Sequence, residues 1–151
     1  MKSFAREKDR RELLARLKTV REDSRSRWGV MTAHQMVCHL GDAFLMMIGE
    51  RRASDATGLL ERTLVKWIAL YVPVRWPAGI LTRPELDQTV GGTKPEKFLV
   101  DVSRVEVLMQ RAASAADCET RLHPIFGRLS EAAWMRWAYL HMDHHLRQFG
   151  A

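Results

Sequence analysis

The chain has 151 residues, of which 46% are hydrophobic and 28% charged. That balance reads as one ordinary globular domain over residues 1–151, long enough to bury a useful core. It argues against a membrane-spanning protein: the most apolar stretch, LVKWIALYVPVRW at 64–76, carries Lys66, Pro73 and Arg75 and is too short for a bilayer. No apolar leader follows MKSFAREKDRR, so the expectation is a cytoplasmic protein whose cysteines, Cys38 and Cys118, stay reduced.

The net charge of +6 is concentrated at the start. Residues 1–27 hold ten Lys/Arg against five Asp/Glu, and the remainder holds fourteen against thirteen. Glu7, Asp9, Glu12, Glu22 and Asp23 are interleaved with the bases. That pattern suits a solvated helix face with local ion pairs better than a nucleic-acid surface, and no recognition motif accompanies it.

Helical spacing of Leu13, Leu14, Leu17 and Val20 predicts a first helix over 6–22. A second opens at MTAHQM, where Thr32 and Gln35 make a capping box and Met31 and Met36 a hydrophobic staple, and runs to Ile48. Gly41 within it is either a small cost or a close approach between helices. A third helix is expected from Thr57 to Tyr71, with Leu60, Leu64, Trp67, Ile68 and Tyr71 as its apolar stripe. Continued through Val74 and Trp76, the face that carries Trp67 and Tyr71 has two readings: core, or a homodimer interface.

Residues 77–95 (PAGILTRPELDQTVGGTKP) form a long Pro- and Gly-rich segment, either a plain surface loop or one that lines or covers a pocket. A fourth helix follows from Pro95 to Ala113 through Phe98, Val102, Val105, Leu108 and Met109. After a loop with Asp117, Cys118 and HPIFG, the last helix runs from an N-cap at Ser130 to Phe149, with Gly150 as the stop. No alternating stretch reads as a strand of useful length. The fold class is therefore all-α, a helical bundle.

The last helix carries HMDHHLRQFG, with His141, His144 and His145 together. At about 100° per residue, His141 and His145 lie about 40° apart, Gln148 about 20° from His141, and His144 about 60° from it. Trp134 and Trp137 share that face, so the histidines extend an inward stripe. On the second helix His39 borders the stripe of Met36, Leu40, Ala43 and Met47, and Asp42 stands where it would accept from the outward ring nitrogen.

Three inward imidazoles from two helices, with an H-x-x-x-H pair among them, form a candidate facial metal site at His39, His141 and His145. Three nitrogen ligands leave a coordination position open for water or substrate, and imidazole ligation suits Zn²⁺, Ni²⁺ or Fe²⁺. A lone histidine on an apolar face is more often a hydrogen-bonded core residue; the third, equally placed ring is what favours a metal. His34, in a first helical turn, is assigned to the surface or a cap. His123 is a loop residue, His144 a spare ligand or outer base, and Cys38 packing.

WGVMTAHQMVCHLGDAF, HPIFGRLSEAAW and HMDHHLRQFG together resemble the DinB-like (DinB/YfiT) superfamily, in particular a branch of small uncharacterised bacterial proteins with an HP-FG-L loop before the final H-DHHLRQFG. The resemblance covers nearly the whole chain in order, but residues 50–115 match only in length and apolar pattern. It implies a four-helix bundle, with an additional short helix or long loop, holding a divalent metal through three histidines; on this chain these are His39, His141 and His145, with Gln148 at the motif's glutamine. It further implies a metal-dependent transferase or isomerase using a low-molecular-weight thiol, since a thiol bound at an open metal position loses its proton. Hydrolysis through a metal-bound water is the other catalytic expectation. A non-catalytic stress-response module that binds a metal or small ligand is the alternative. In the enzyme reading Asp42 and Gln148 orient ligands, and Trp134, Trp137 and the 77–95 segment surround a small-molecule pocket.

Overall fold

The computed structural model describes residues 1–56, 58–115 and 118–151. Thr57, the expected start of the third helix, and Asp117 lie outside the described residues. Five α-helices run in chain order among the described residues: α1 (Glu7–Leu17), α2 (Ala33–Met47), α3 (Lys66–Tyr71), α4 (Phe98–Ala113) and α5 (Glu131–Gln148). The only described sheet is a hairpin of β1 (Leu122–His123) and β2 (Gly127–Arg128). The fold is all-α apart from that hairpin. None of the described helices is long and apolar enough to cross a membrane.

The long helices pack pairwise, α2 on α4, α1 on α5, and α2 on α5, around one core. Met36, Leu40 and Met47 of α2 meet Trp134, Met142 and Leu146 of α5 in that core, each essentially inaccessible to water. Thr32 starts α2 as its sequence requires: its hydroxyl accepts from Gln35 N at 3.1 Å, and Gln35 Oε1 accepts from Thr32 N at 2.9 Å. A methyl at Gly41 would rest 3.6 Å from Leu108, an ordinary contact, so α4 packs here without demanding glycine.

α1 is shorter than the expected 6–22. The Thr19 hydroxyl bonds the Arg16 carbonyl at 2.7 Å, and the chain turns there. The turn still buries Val20, which is why its apolar spacing looked helical. The bases of this region pair with acids elsewhere, Arg16 with Asp143 at 2.7 Å and Lys18 with Glu106 at 3.2 Å.

The third helix departs most from expectation. A π-type turn at Glu61–Val65 leads into α3, and Leu70 is the only buried residue of α3. Leu60, Leu64, Trp67, Ile68 and Tyr71 remain exposed, Leu60 by 66% and Trp67 by 58%, so the stripe is not core.

α4 begins at Phe98 rather than Pro95, because Asp101 folds back to accept from Glu96 N at 3.2 Å ahead of the first turn. Between α3 and α4, the 77–95 segment is tied to α2 by one carboxylate. Asp42, 1% exposed, accepts from Thr93 N at 2.8 Å, Thr93 Oγ1 at 2.6 Å and Gln88 Nε2 at 2.9 Å, and pairs with Arg51 at 3.1 Å. Removing it strands buried donors and Arg51 together. Asp42→Ala is therefore expected to cost about 3 kcal/mol, read as a lower urea midpoint with an unchanged slope.

Candidate metal centre

Packing of α2 on α5 brings His39 against His141 and His145. Ring centroids lie 5.1 Å apart for His39 and His141, and 4.7 Å apart for both His39–His145 and His141–His145. Each ring offers a nitrogen, and the three nitrogens fall within 4.8 Å of one another. His39 Nε2 and His141 Nε2 are 3.1 Å apart.

The outer edges of two rings fix which nitrogens face inward. His39 Nδ1 lies 2.9 Å from the Leu86 carbonyl, which can only accept, so Nδ1 carries the proton and Nε2 a lone pair. His145 Nδ1 lies 2.9 Å from Gln148 Oε1. The Gln148 amide is oriented by its own Nε2, which donates to the Trp28 carbonyl at 2.8 Å, so His145 Nδ1 donates too. His141 is held by stacking on Trp137, centroids 4.8 Å apart and planes 20° from parallel.

Burial lowers the pKa of all three imidazoles, and for His141 and His145 the neighbouring imidazoles lower it further. All three are neutral near pH 7, the state a metal ligand requires. The donor set fits a divalent ion. Zinc–nitrogen bonds of about 2.0–2.1 Å in tetrahedral array put ligand nitrogens about 3.3 Å apart, close to the His39–His141 spacing. Two lone pairs already converge, with outer nitrogens tied to protein acceptors, the usual support of a ligating histidine.

The three rings form part of the lining of a cleft of about 560 Å³. Its walls are chiefly apolar, with Val74, Trp76, Ile80, Leu81, Leu86 and Ile125 prominent. The 77–95 segment therefore lines the site through Pro77, Ile80 to Arg83 and Leu86.

Trp137 and His144 line the cleft as well. His144 stands outside the converging trio, its ring 5.7 Å from Trp28 and 6.1 Å from Trp76, with Nδ1 buried and unpartnered among the described residues. Two expectations are corrected. Asp42 does not reach His39, since its oxygens are taken by Thr93, Gln88 and Arg51; Leu86 supplies the acceptor instead. Trp134 does not line the cleft; it is fully buried behind Trp137, edge to face at 5.5 Å.

Sequence reasoning missed the Leu86 carbonyl and Trp28, and it assigned Trp76 to core or a dimer interface, whereas Trp76 lines the cleft. It also placed His34 and His123 too far from the interior. His123 is 2% exposed in β1 and forms part of the cleft lining. His34 is buried with Nε2 2.7 Å from Asp101 Oδ2, and with Cys38 these make a second close cluster between α2 and α4. The four-residue spacing of His34 and Cys38 was the available signal. Burial, then the charges of Asp101 and Asp42, push the Cys38 thiol up to about 12, which keeps it protonated and inert.

These features define a small helical protein with a histidine-floored, apolar cleft. The chain belongs to the family described as Protein of unknown function (DUF1569), whose model matches residues 6–151. No curated protein and no solved structure matches it.

The second cluster has an acid signature. Burial raises the pKa of Asp101, but the hydrogen bonds from His34 and Glu96 N outweigh it and hold the carboxyl below its usual value. With the folded pKa below the unfolded value of about 3.9, the carboxylate stabilises the fold above that pH, and the contribution is lost as pH falls through the folded pKa. Asp101→Asn is expected to flatten this part of the stability–pH curve below about pH 4, measured by urea unfolding across an acid series.

Proposed function

We propose that this chain is a divalent-metal-binding protein of the DinB/YfiT type, its four long helices forming the bundle, and that the cleft above the metal centre processes a small molecule. The observation that carries this reading is the convergence of three neutral imidazoles, two with lone pairs fixed inward, on the floor of an apolar cleft. Zn²⁺, Ni²⁺ and Fe²⁺ all suit such ligands. The reaction is transfer of a low-molecular-weight thiol to an electrophile, or hydrolysis.

His39, His141 and His145 would hold the ion. When bound, it supplies Lewis acidity, bringing the pKa of a coordinated thiol or water towards neutrality. The chain's own residues do the rest. Leu86 and Gln148 hold the rings of His39 and His145 in one tautomer. Trp137 fixes the plane of His141. The apolar walls keep water from the reacting groups and strengthen every charge interaction among them. A non-catalytic ligand-binding module is the second reading, favoured by one observation: the described cleft lining includes no carboxylate and no thiol.

Protein purified without a histidine tag is expected to contain one divalent ion per chain. His141→Ala combined with His145→Ala should abolish binding while far-UV circular dichroism stays helical; a double variant that retains the ion overturns the site. Gln148→Ala, which frees the His145 ring, is expected to weaken Zn²⁺ binding about tenfold to a hundredfold in competition with a chelating dye. Turnover of glutathione, bacillithiol or mycothiol with a generic electrophile, lost on chelation, separates the enzyme from the module.

A further inference from the structure

Among the described residues, ten of the seventeen large hydrophobic side chains left exposed to water fall within residues 59–81. They are not scattered. Leu60, Leu64, Trp67 and Tyr71 follow the spacing of one helix face, and Leu64 is 56% exposed. α3 and the turn before it thus present their apolar side outward. The same surface continues into the cleft: Val65, Ile68, Val74, Ile80 and Leu81 are exposed and also line it, Leu81 with 87% of its surface open. The cleft therefore opens onto an apolar surface.

An apolar face of this extent marks a contact with something other than water. The charges on the segment indicate the partner. Residues 59–83 hold Arg62, Lys66, Arg75 and Arg83 against one acid, Glu61. Arg62 and Arg83 are engaged within the chain, with Asp55 at 3.8 Å and the Ser54 hydroxyl at 2.7 Å. Lys66 meets the Arg128 carbonyl at 3.4 Å but no carboxylate, and the exposed Arg75 of the cleft lining has no ion-pair partner among the described residues. Two copies of this face brought together would set cations against cations, with only Glu61 to receive them. A bilayer with anionic headgroups complements both parts, its acyl boundary the apolar side chains and its phosphates the cations. Trp67 and Tyr71 are the residue types that settle at headgroup level.

We propose that residues 59–81 dock on an anionic bilayer surface, with Leu60, Leu64 and Trp67 at the acyl boundary, Lys66 and Arg75 at the phosphates, and the cleft mouth towards the lipid. This goes beyond the metal reading and does not depend on it.

The probes are vesicles of phosphatidylcholine, alone or with about one-third phosphatidylglycerol. Full-length protein is expected to float with the anionic vesicles on a density gradient and to be released as salt rises. Its tryptophan emission should move to shorter wavelength as Trp67 leaves water. Lys66→Gln combined with Arg75→Gln should weaken partitioning about thirtyfold. Leu64→Ser combined with Trp67→Ser should abolish it; both side chains are exposed, so circular dichroism and metal content stay as in wild type. Full binding by that variant places the contact elsewhere on the chain and overturns the proposal, as does no binding of wild type to the anionic vesicles. Equal partitioning onto the neutral vesicles overturns the role of the cations. A wild-type dimer in sedimentation equilibrium that Leu64→Ser with Trp67→Ser dissociates, without vesicle binding, assigns the face to a second copy and overturns it too. Metal content is read on the same samples: protein that floats without an ion supports the docking and overturns only the metal reading.

Discussion

Two hydrogen bonds at the outer edges of His39 and His145 govern what the inner edges can do. An imidazole has two nitrogens and, when neutral, one proton. Once Leu86 and Gln148 take that proton at Nδ1, the lone pair is left on Nε2 and faces the other rings. Neither acceptor stands alone. Leu86 lies in the segment that Asp42 ties to α2 through Thr93 and Gln88, and Gln148 is braced by the carbonyl of Trp28 in the α1–α2 connection. The 3₁₀ turn at Pro84–Leu86 and the α1–α2 connection thus set the tautomers of rings carried by the long helices. Asp42 acts on His39 through the backbone it positions, one residue-to-residue link removed from the direct contact its spacing suggested.

Burial then does electrical work. Three imidazoles whose facing nitrogens lie within 4.8 Å of one another cannot all be charged, and desolvation opposes charge on any of them. The same burial keeps the three rings neutral, the state in which an imidazole nitrogen can ligate a cation. This explains an otherwise awkward composition. Most of the lining is apolar, yet it includes five histidines beside Arg75, Thr82 and Arg83.

What the sequence revealed depended on how local the determining contact was. α2 and α5 were legible because their caps and stripes are written within a few residues: Thr32 with Gln35, Ser130 with Ala133 N, and the four-residue step from His141 to His145. The end of α1 was missed because burial of Val20 does not require a helix, only a turn. α3 misled because an apolar stripe states which residues avoid water, not whether a partner within the chain exists to cover them. His34 and His39 find acceptors 67 and 47 residues away. One of those acceptors is a backbone carbonyl, which leaves no trace in residue type.

The HPIFG hairpin shows how a loop histidine becomes an interior one. Gly127 takes a positive φ of 66°, a conformation that favours glycine, and this lets the chain reverse tightly after Phe126. The reversal brings the amides of Ile125 and Phe126 back onto His123 Nδ1 and lays Phe126 over the ring. The turn therefore caps its own histidine and turns the remaining N–H away from itself. Trp137 neighbours this ring at 4.9 Å and His141 at 4.8 Å, so one indole packs against both the hairpin histidine and the converging trio.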